Sequence, residues 1–167
     1  MKRLGGFTLI ELIMIVAVLG ILLGIGLVRF SPERTAVAQA SKIVAAQVTR
    51  TRFEALRRNE PVGLELASSG SGSYRIFEDS DRNNVYSTGD ALIESATFGA
   101  GDFGRTTLAL AACGGAAASD SATILFNGRG FYAAAAPRAI QIGNRAGSYA
   151  RYVKVSPQGR AEISGSC

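Results

Sequence analysis

The feature that most constrains this chain is one long apolar run near its start, from Phe7 to Val28, with a single carboxylate inside it, Glu11. As a helix the run would be about 33 Å long at about 1.5 Å per residue. The hydrocarbon core of a bilayer is about 30 Å thick, so the run predicts a membrane-spanning helix. Lys2 and Arg3 precede it, which favours a cytoplasmic N-terminus.

A carboxylate inside such a segment is costly unless a cation faces it, so Glu11 calls for a partner. Two small residues, Gly5 and Gly6, stand before the run. An ordinary secretory signal instead has a shorter apolar region that is followed by its small-residue cleavage site. Cleavage after Gly6 would remove the basic leader, keep the apolar helix and create a new amine at Phe7. On a neighbouring subunit, that amine is the cation we expect Glu11 to meet.

The segment GGFTLIEL at 5–12 resembles the type III signal of type IV pilins and type II secretion pseudopilins. The resemblance implies that residues 1–6 are a leader, which a prepilin peptidase removes by cutting after Gly6. It also implies that Phe7 is then methylated and that Glu11 assists assembly. Residues 7–28 would be the transmembrane and assembly helix of a protein held in the bacterial inner membrane, with its globular part outside the cytoplasm.

Residues 29–59 carry the pattern of an amphipathic helix. Ser31 and Pro32 form a helix start, since serine is a favoured N-cap and proline suits the first helical position. Apolar or small residues then recur every three or four positions, which predicts one core-facing side. These positions are Val37, Ala40, Val44, Val48, Thr51 and Ala55. Asn59 and Pro61 end the helix.

Residues 60–167 predict a β-rich globular domain, because short β-like runs alternate there with Gly, Ser, Asn and Asp. The candidate strands lie at 62–66, 73–79, 91–98, 106–112, 122–127, 131–136, 138–143, 150–156 and 160–164. Their short connections favour an antiparallel meander. The fold class is therefore α+β: a long N-terminal pilin-type helix, half membrane-spanning and half amphipathic, packed on an antiparallel β-rich domain.

Three later segments also resemble the FimT/GspH group of minor pilins and pseudopilins. They are RFEALRRNEPV at 52–62, ILFNGRGFY at 124–132 and YVKVSPQGRAEIS at 152–164. The resemblance implies a minor subunit of a type IV pilus that contacts other pilin subunits and the peptidase. Two alternatives stay open, namely a GspH-type pseudopilin of type II secretion and a DNA-binding minor pilin of natural transformation.

The last part of the chain is basic, with six basic residues and one acidic residue over 121–167. Candidate phosphate contacts for DNA are Arg138, Arg145, Arg151, Lys154 and Arg160. FimT-like DNA receptors carry a Gly-Arg-x-Arg motif near the C-terminus. Here Gly159-Arg160 matches its first half, but Glu162 stands where the second arginine would be. Solvated surface charge is the alternative explanation.

The segment from Asp79 to Asp90 has the ligand spacing of a calcium loop. Asp79, Asp81, Asn83 and Asp90 fall at positions one, three, five and twelve of an EF-hand-like spacing. Position six is Asn84 rather than glycine, although asparagine tolerates the left-handed conformation. A polar hairpin turn would have much the same composition, so both interpretations remain.

No histidine occurs in the chain, which removes the commonest general base and the commonest transition-metal ligand. We therefore expect no enzyme activity, and no cofactor other than the calcium considered above. The two cysteines, Cys113 and Cys167, predict a disulfide if the protein is exported.

Overall fold

The computed structural model describes residues 8–28, 31–111, 120–132 and 138–167. The chain divides into two compact units, Met1–Pro32 and Glu33–Cys167.

The first unit contains one helix, α1, which spans Leu9–Val28. Every side chain from Thr8 to Leu23 is exposed, and most of these side chains are large and apolar. A helix that is apolar all round has no polar face to turn towards water. Within the part of the chain that the structure describes, no helix is both long enough and apolar enough to cross a membrane.

A long helix, α2, spans Pro32–Arg58 and belongs to the second unit from Glu33 onward. It ends where Asn59 takes the left-handed conformation, with φ of 56°, a conformation that asparagine adopts more readily than most residues. The six positions predicted to face the core are all buried, and Ser41 is buried with them. Ser41 donates its hydroxyl to the carbonyl of Val37 at 2.7 Å, so no polar group of this side chain is left without a partner.

In the part of the chain that the structure describes, eight strands form two four-stranded sheets in which every pairing is antiparallel. The strands are β1 (Val62–Ala67), β2 (Ser73–Glu78), β3 (Ala91–Thr97), β4 (Thr106–Ala111), β5 (Ser121–Phe126), β6 (Arg138–Asn144), β7 (Ala150–Val155) and β8 (Ala161–Ser164). The first sheet has the order β3-β2-β1-β5, and the second has the order β4-β6-β7-β8. One short 3-10 helix, Gly101–Phe103, lies between β3 and β4.

The α+β fold class is confirmed, but the simple meander is wrong. After β3 the chain leaves the first sheet to form β4 of the second, then returns to place β5 beside β1. This placement gives β1 a neighbour on both sides, so Leu64 lies between Ile76 and Ile124 on the buried face. Of the strand predicted at 131–136, the structure describes only Phe131 and Tyr132, and Tyr132 pairs with Phe126 in an isolated bridge. Residues 133–137 lie outside the described residues.

Helix α2 contacts the first sheet through a polar network as well as through the apolar core. Gln47 donates its amide to Glu94 at 2.6 Å and to the hydroxyl of Tyr74 at 3.2 Å, while Arg50 forms an ion pair with Glu94. Burial raises the pKa of Tyr74 to about 12, and the hydrogen bond that it donates to Glu94 acts in the same direction. At the end of α2, Arg58 pairs with Glu78 at 2.5 Å. These contacts fix how the helix lies on the sheet.

Candidate functional site

The predicted assembly residue, Glu11, lies in the first turn of α1 and is exposed. Its Oε2 is 3.4 Å from both the backbone nitrogen and the hydroxyl of Thr8, which is a long contact for either donor. Glu11 makes no ion pair with any residue that the structure describes. Gly6 and Phe7, the predicted processing residues, lie outside the described residues.

The loop from Asp79 to Asp90 gathers three carboxylates. Oxygens of Asp79, Asp81 and Asp90 all lie within 4.8 Å of one another. Asp79 is buried and accepts hydrogen bonds from the backbone nitrogens of Asn83 and Asn84, both at 3.1 Å. Such a grouping could hold a hard cation, although exposed acidic groups are common without one.

The two amides of this loop have different roles. Asn84 takes the left-handed conformation with φ of 65°, as position six of the predicted loop requires. Asn83 instead serves the turn itself, because its side chain donates to Asp81 at 2.7 Å and accepts from the backbone nitrogen of Val85 at 2.8 Å. These hydrogen bonds equally suit a polar turn, so calcium binding stays a prediction.

The carboxylates of this loop differ in pKa. Burial raises the pKa of Asp79, and the nearby Asp81 and Asp90 raise it further, against the backbone hydrogen bonds that lower it. The pKa of Asp90 is lowered, because hydrogen bonds from Ser87 and Ser80 outweigh the raising effect of desolvation. Of these two carboxylates, the buried Asp79 is therefore the one that gains more from binding a proton, or a cation in its place.

The five basic residues predicted to contact DNA lie at the two ends of β7. Arg145 and Arg151 lie where β6 ends and β7 begins. Lys154 and Arg160 lie at the other end of β7, beside the first residue of β6, Arg138. A strand of this length extends about 17 Å, so the five residues form two groups, and DNA binding by them stays a prediction. In addition, the main chain of Lys154 is paired with that of the acidic Glu162.

A further arginine, which sequence reasoning missed, joins the first of these groups. The guanidinium carbon of Arg34 lies 5.4 Å from the ring centre of Tyr149, which is a cation–π contact. Arg151 donates from Nε to the hydroxyl oxygen of the same tyrosine at 3.0 Å. Arg34 and Tyr149 are far apart in the sequence, and no motif links them. We call Arg34, Arg145, Tyr149 and Arg151 the basic end of the second unit.

The hairpin between β6 and β7 is fastened to the start of α2 by one buried amide. Asn144 donates to Glu33 at 2.5 Å and to the hydroxyl of Ser148 at 2.9 Å. Its side-chain oxygen accepts from the backbone nitrogen of Tyr149 at 3.0 Å, and Gly147 closes the turn with φ of 68°. The backbone of Tyr149, whose side chain contacts the two arginines, is therefore held by Asn144.

The three segments that carry the FimT/GspH resemblance meet at one corner of the domain. Gly128 lies against the backbone of Asn59 so closely that an added Cβ would stand 2.6 Å from it. A Cβ on Gly159 would likewise stand 2.4 Å from the ring of Phe126, which also contacts Tyr132 with ring centres 5.8 Å apart. These motifs therefore encode close packing in the fold.

The contacts described above do not test the predicted disulfide between the two cysteines. Cys113 lies outside the described residues, and Cys167 follows β8 as the last residue of the sequence. The pairing of Cys113 with Cys167 stays a prediction.

Comparison with known proteins gives consistent results. Residues 40–159 match the family described as type II transport protein GspH. The pilin-like protein PilA1 of Thermus thermophilus is 37% identical over 158 residues, which cover 95% of this chain and 97% of that protein. Crystal structures of the type IV minor pilin FimU from Pseudomonas aeruginosa are similar in fold. One has a TM-score of 0.52 at 16% identity and covers 79% of this chain and 90% of FimU, and a second crystal form has a TM-score of 0.51.

Proposed function

Because this chain belongs to the GspH family of pilin-like proteins, we propose that it is a minor type IV pilin that a prepilin peptidase processes after Gly6. Members of pilin and pseudopilin families are structural subunits and not enzymes, and they assemble with other pilin or pseudopilin subunits. The observation that carries the proposal is the position of Glu11 in the first turn of an apolar helix. This helix begins directly after the sequence Gly-Phe-Thr.

The proposed mechanism follows from the exposed apolar surface of α1. Such a surface must be covered, first by lipid and then by the helices of other subunits. The subunit would wait in the inner membrane with its N-terminus in the cytoplasm and its second unit outside. After removal of residues 1–6, the methylated amine of Phe7 on one subunit would pair with Glu11 of its neighbour. Bundling of the helices would then extend the filament.

Processing is tested by the N-terminal mass of the protein isolated from membranes, with and without the prepilin peptidase. We expect a chain that begins at methylated Phe7 only when the peptidase is present. The variant Gly6→Val should keep its leader even with the peptidase, because the side chain would block the cut. An intact Met1 in the wild type, or a mature chain that starts beyond Val28, would exclude the pilin pathway.

Two other functions remain as alternatives. The family description favours a GspH-type pseudopilin of type II secretion. In that case deletion of the gene would leave secreted proteins in the periplasm while surface pili persist. A DNA-binding minor pilin of natural transformation is the second alternative, and it rests on the basic residues at the two ends of β7.

Calcium binding by the loop from Asp79 to Asp90 is tested by thermal unfolding of the full chain in detergent. Calcium at about ten times its Kd should add about 1.4 kcal/mol to the free energy of unfolding. The variant Asp81→Asn should lose most of this gain, whereas Asp102→Asn, an acidic residue outside the loop, should keep it. Equal unfolding temperatures with and without millimolar calcium would exclude the site.

The calcium effect should also depend on pH in a defined direction. The folded-state pKa of Asp79 is raised, so without metal its contribution to stability is greatest at low pH and is lost as the pH rises through that pKa. Calcium needs the ionised carboxylate, so its stabilisation should instead grow as the pH rises through the same range.

A further inference from the structure

The basic end of the second unit carries positive charge that the protein itself does not neutralise. Five other arginines pair with glutamates, namely Arg50, Arg57, Arg58, Arg75 and Arg82. By contrast, Arg34, Arg145 and Arg151 make no ion pair with any residue that the structure describes. Arg34 and Arg145 are exposed, and Arg151 is partly exposed, so all three can reach a ligand.

Two of these arginines are pre-oriented by one aromatic ring. Arg34 rests over the face of Tyr149, and Arg151 uses its Nε for the tyrosine hydroxyl, which leaves its two terminal nitrogens available. A planar guanidinium presents paired N–H donors that match two oxygens of a phosphate. Because Asn144 holds the backbone of Tyr149 and both arginines already contact its side chain, less conformational entropy is lost when these donors bind.

The acidic groups near this end offset only part of its charge. Glu33 is adjacent to Arg34 and accepts a hydrogen bond from Asn144, a neutral donor that leaves the carboxylate charge in place. On the other side, Arg145 extends towards Gly99, three residues before Asp102, and Asp102 makes no ion pair within the described part of the chain. Three arginines against these two carboxylates leave the surface positive.

The position of this charge in the sequence points to its partner. Arg34 follows the last residue of α1, Val28, by only six positions. If the apolar segment lies in a membrane, the covalent chain keeps Arg34 near the lipid headgroups, whatever the orientation of the two units. Anionic lipid surfaces attract basic side chains by about 1 kcal/mol for each residue near the surface.

We propose that the basic end binds the phosphates of anionic phospholipid headgroups and so holds the second unit against the membrane before the subunit is assembled. This inference rests on the proposed function, because it needs α1 to be in the membrane. Duplex DNA offers similar phosphodiesters, but DNA-binding proteins commonly use about six to ten phosphate contacts, and only about three arginines are grouped here.

The test uses the full-length protein in a neutral maltoside detergent, titrated with short-chain phosphatidylglycerol and, separately, with short-chain phosphatidylcholine. We expect the wild type to bind the anionic lipid about tenfold more tightly, as about 1.4 kcal/mol of added charge-assisted hydrogen bonding would give. The variant Arg145→Gln/Arg151→Gln should lose this preference. The matched control, Arg129→Gln/Arg160→Gln, removes the same charge elsewhere and should keep it.

Unfolding temperatures show whether a variant is still folded. Should the double variant unfold, the exposed Arg145→Gln alone should still reduce the preference severalfold.

Equal preference in the basic-end variant and its control would overturn the proposal. So would binding of inorganic phosphate as tight as that of the lipid, which would mark a free-phosphate site. Tighter binding of a DNA duplex through the same arginines would mark a nucleic-acid site instead. Mass spectrometry of the mature N-terminus remains a separate test of the pilin pathway, so the two failures can be told apart.

Discussion

Replacing Glu11 by alanine is expected to leave the protein in the membrane fraction but to lower its incorporation into filaments about tenfold or more. The apolar run becomes more apolar in this variant, so insertion should not suffer. Assembly should suffer, because the positive amine of a neighbouring Phe7 would enter the helix bundle without a counter-charge. A loss of about 1.4 kcal/mol at each such contact already gives a tenfold effect. The measurement is the ratio of subunit in sheared filaments to subunit in membranes.

The side chain of Glu11 makes only two long contacts among the described residues, both to Thr8, so the variant breaks no strong interaction within its own subunit. Glu11→Asp keeps the charge and should retain part of the incorporation. Thr8→Val, which removes the hydroxyl contact alone, should incorporate nearly as the wild type does. Normal incorporation of Glu11→Ala would remove the basis for an assembly role.

The helical and strand elements were predictable because each is encoded locally. In α2 the spacing of Val37, Val44 and Val48 predicts which face is buried, and all three are buried. The end of the helix is equally local, since Asn59 can take the left-handed conformation that stops it. In the strands, alternation of apolar and polar residues was enough to place all eight described strands with small errors at their ends.

The order of the strands was not predictable, because it is decided by which surfaces bury each other. Periodicity shows that Leu64 and Ile124 each face a core, but it does not show that β5 returns to lie beside β1. The second face of the first sheet gives another example. Phe77 is fully buried there, and its ring centre lies 5.5 Å from that of Tyr86. Only a glycine at position 63 leaves room for Phe77, because a Cβ there would stand 2.6 Å from its ring.

The candidate sites divide in the same way. The carboxylates of the Asp79–Asp90 loop lie close in sequence, so their grouping could be predicted from spacing. The basic end could not be predicted, because Arg34 comes from the start of α2 while Tyr149 and Arg151 come from the β6–β7 hairpin. Net charge over 121–167 indicated basic residues, but charge counts carry no information about which end of a strand each residue occupies.

The corner at which the three FimT/GspH-like segments meet should be among the most sensitive places in the fold. Phe126 is fully buried there, at the end of β5, between Tyr132 and the Cα of Gly159. Phe126→Ala should lower the free energy of unfolding by about 3–5 kcal/mol, because it removes a large apolar side chain and leaves a cavity. For a domain of this size, each kcal/mol lowers Tm by about 2–4 °C, so a loss of about 10 °C is expected.

Phe131→Ala provides a matched control in the same region. The chemical change is identical and the residue lies only five positions further along the chain, but its side chain is 65% exposed. Its free energy of unfolding should therefore change by no more than about 0.5 kcal/mol. Both variants can be compared by thermal unfolding of the full chain followed by circular dichroism. If both variants lose the same free energy of unfolding, Phe126 does not hold the three segments together. The residues by which these segments resemble minor pilins would then serve a surface contact instead of the core.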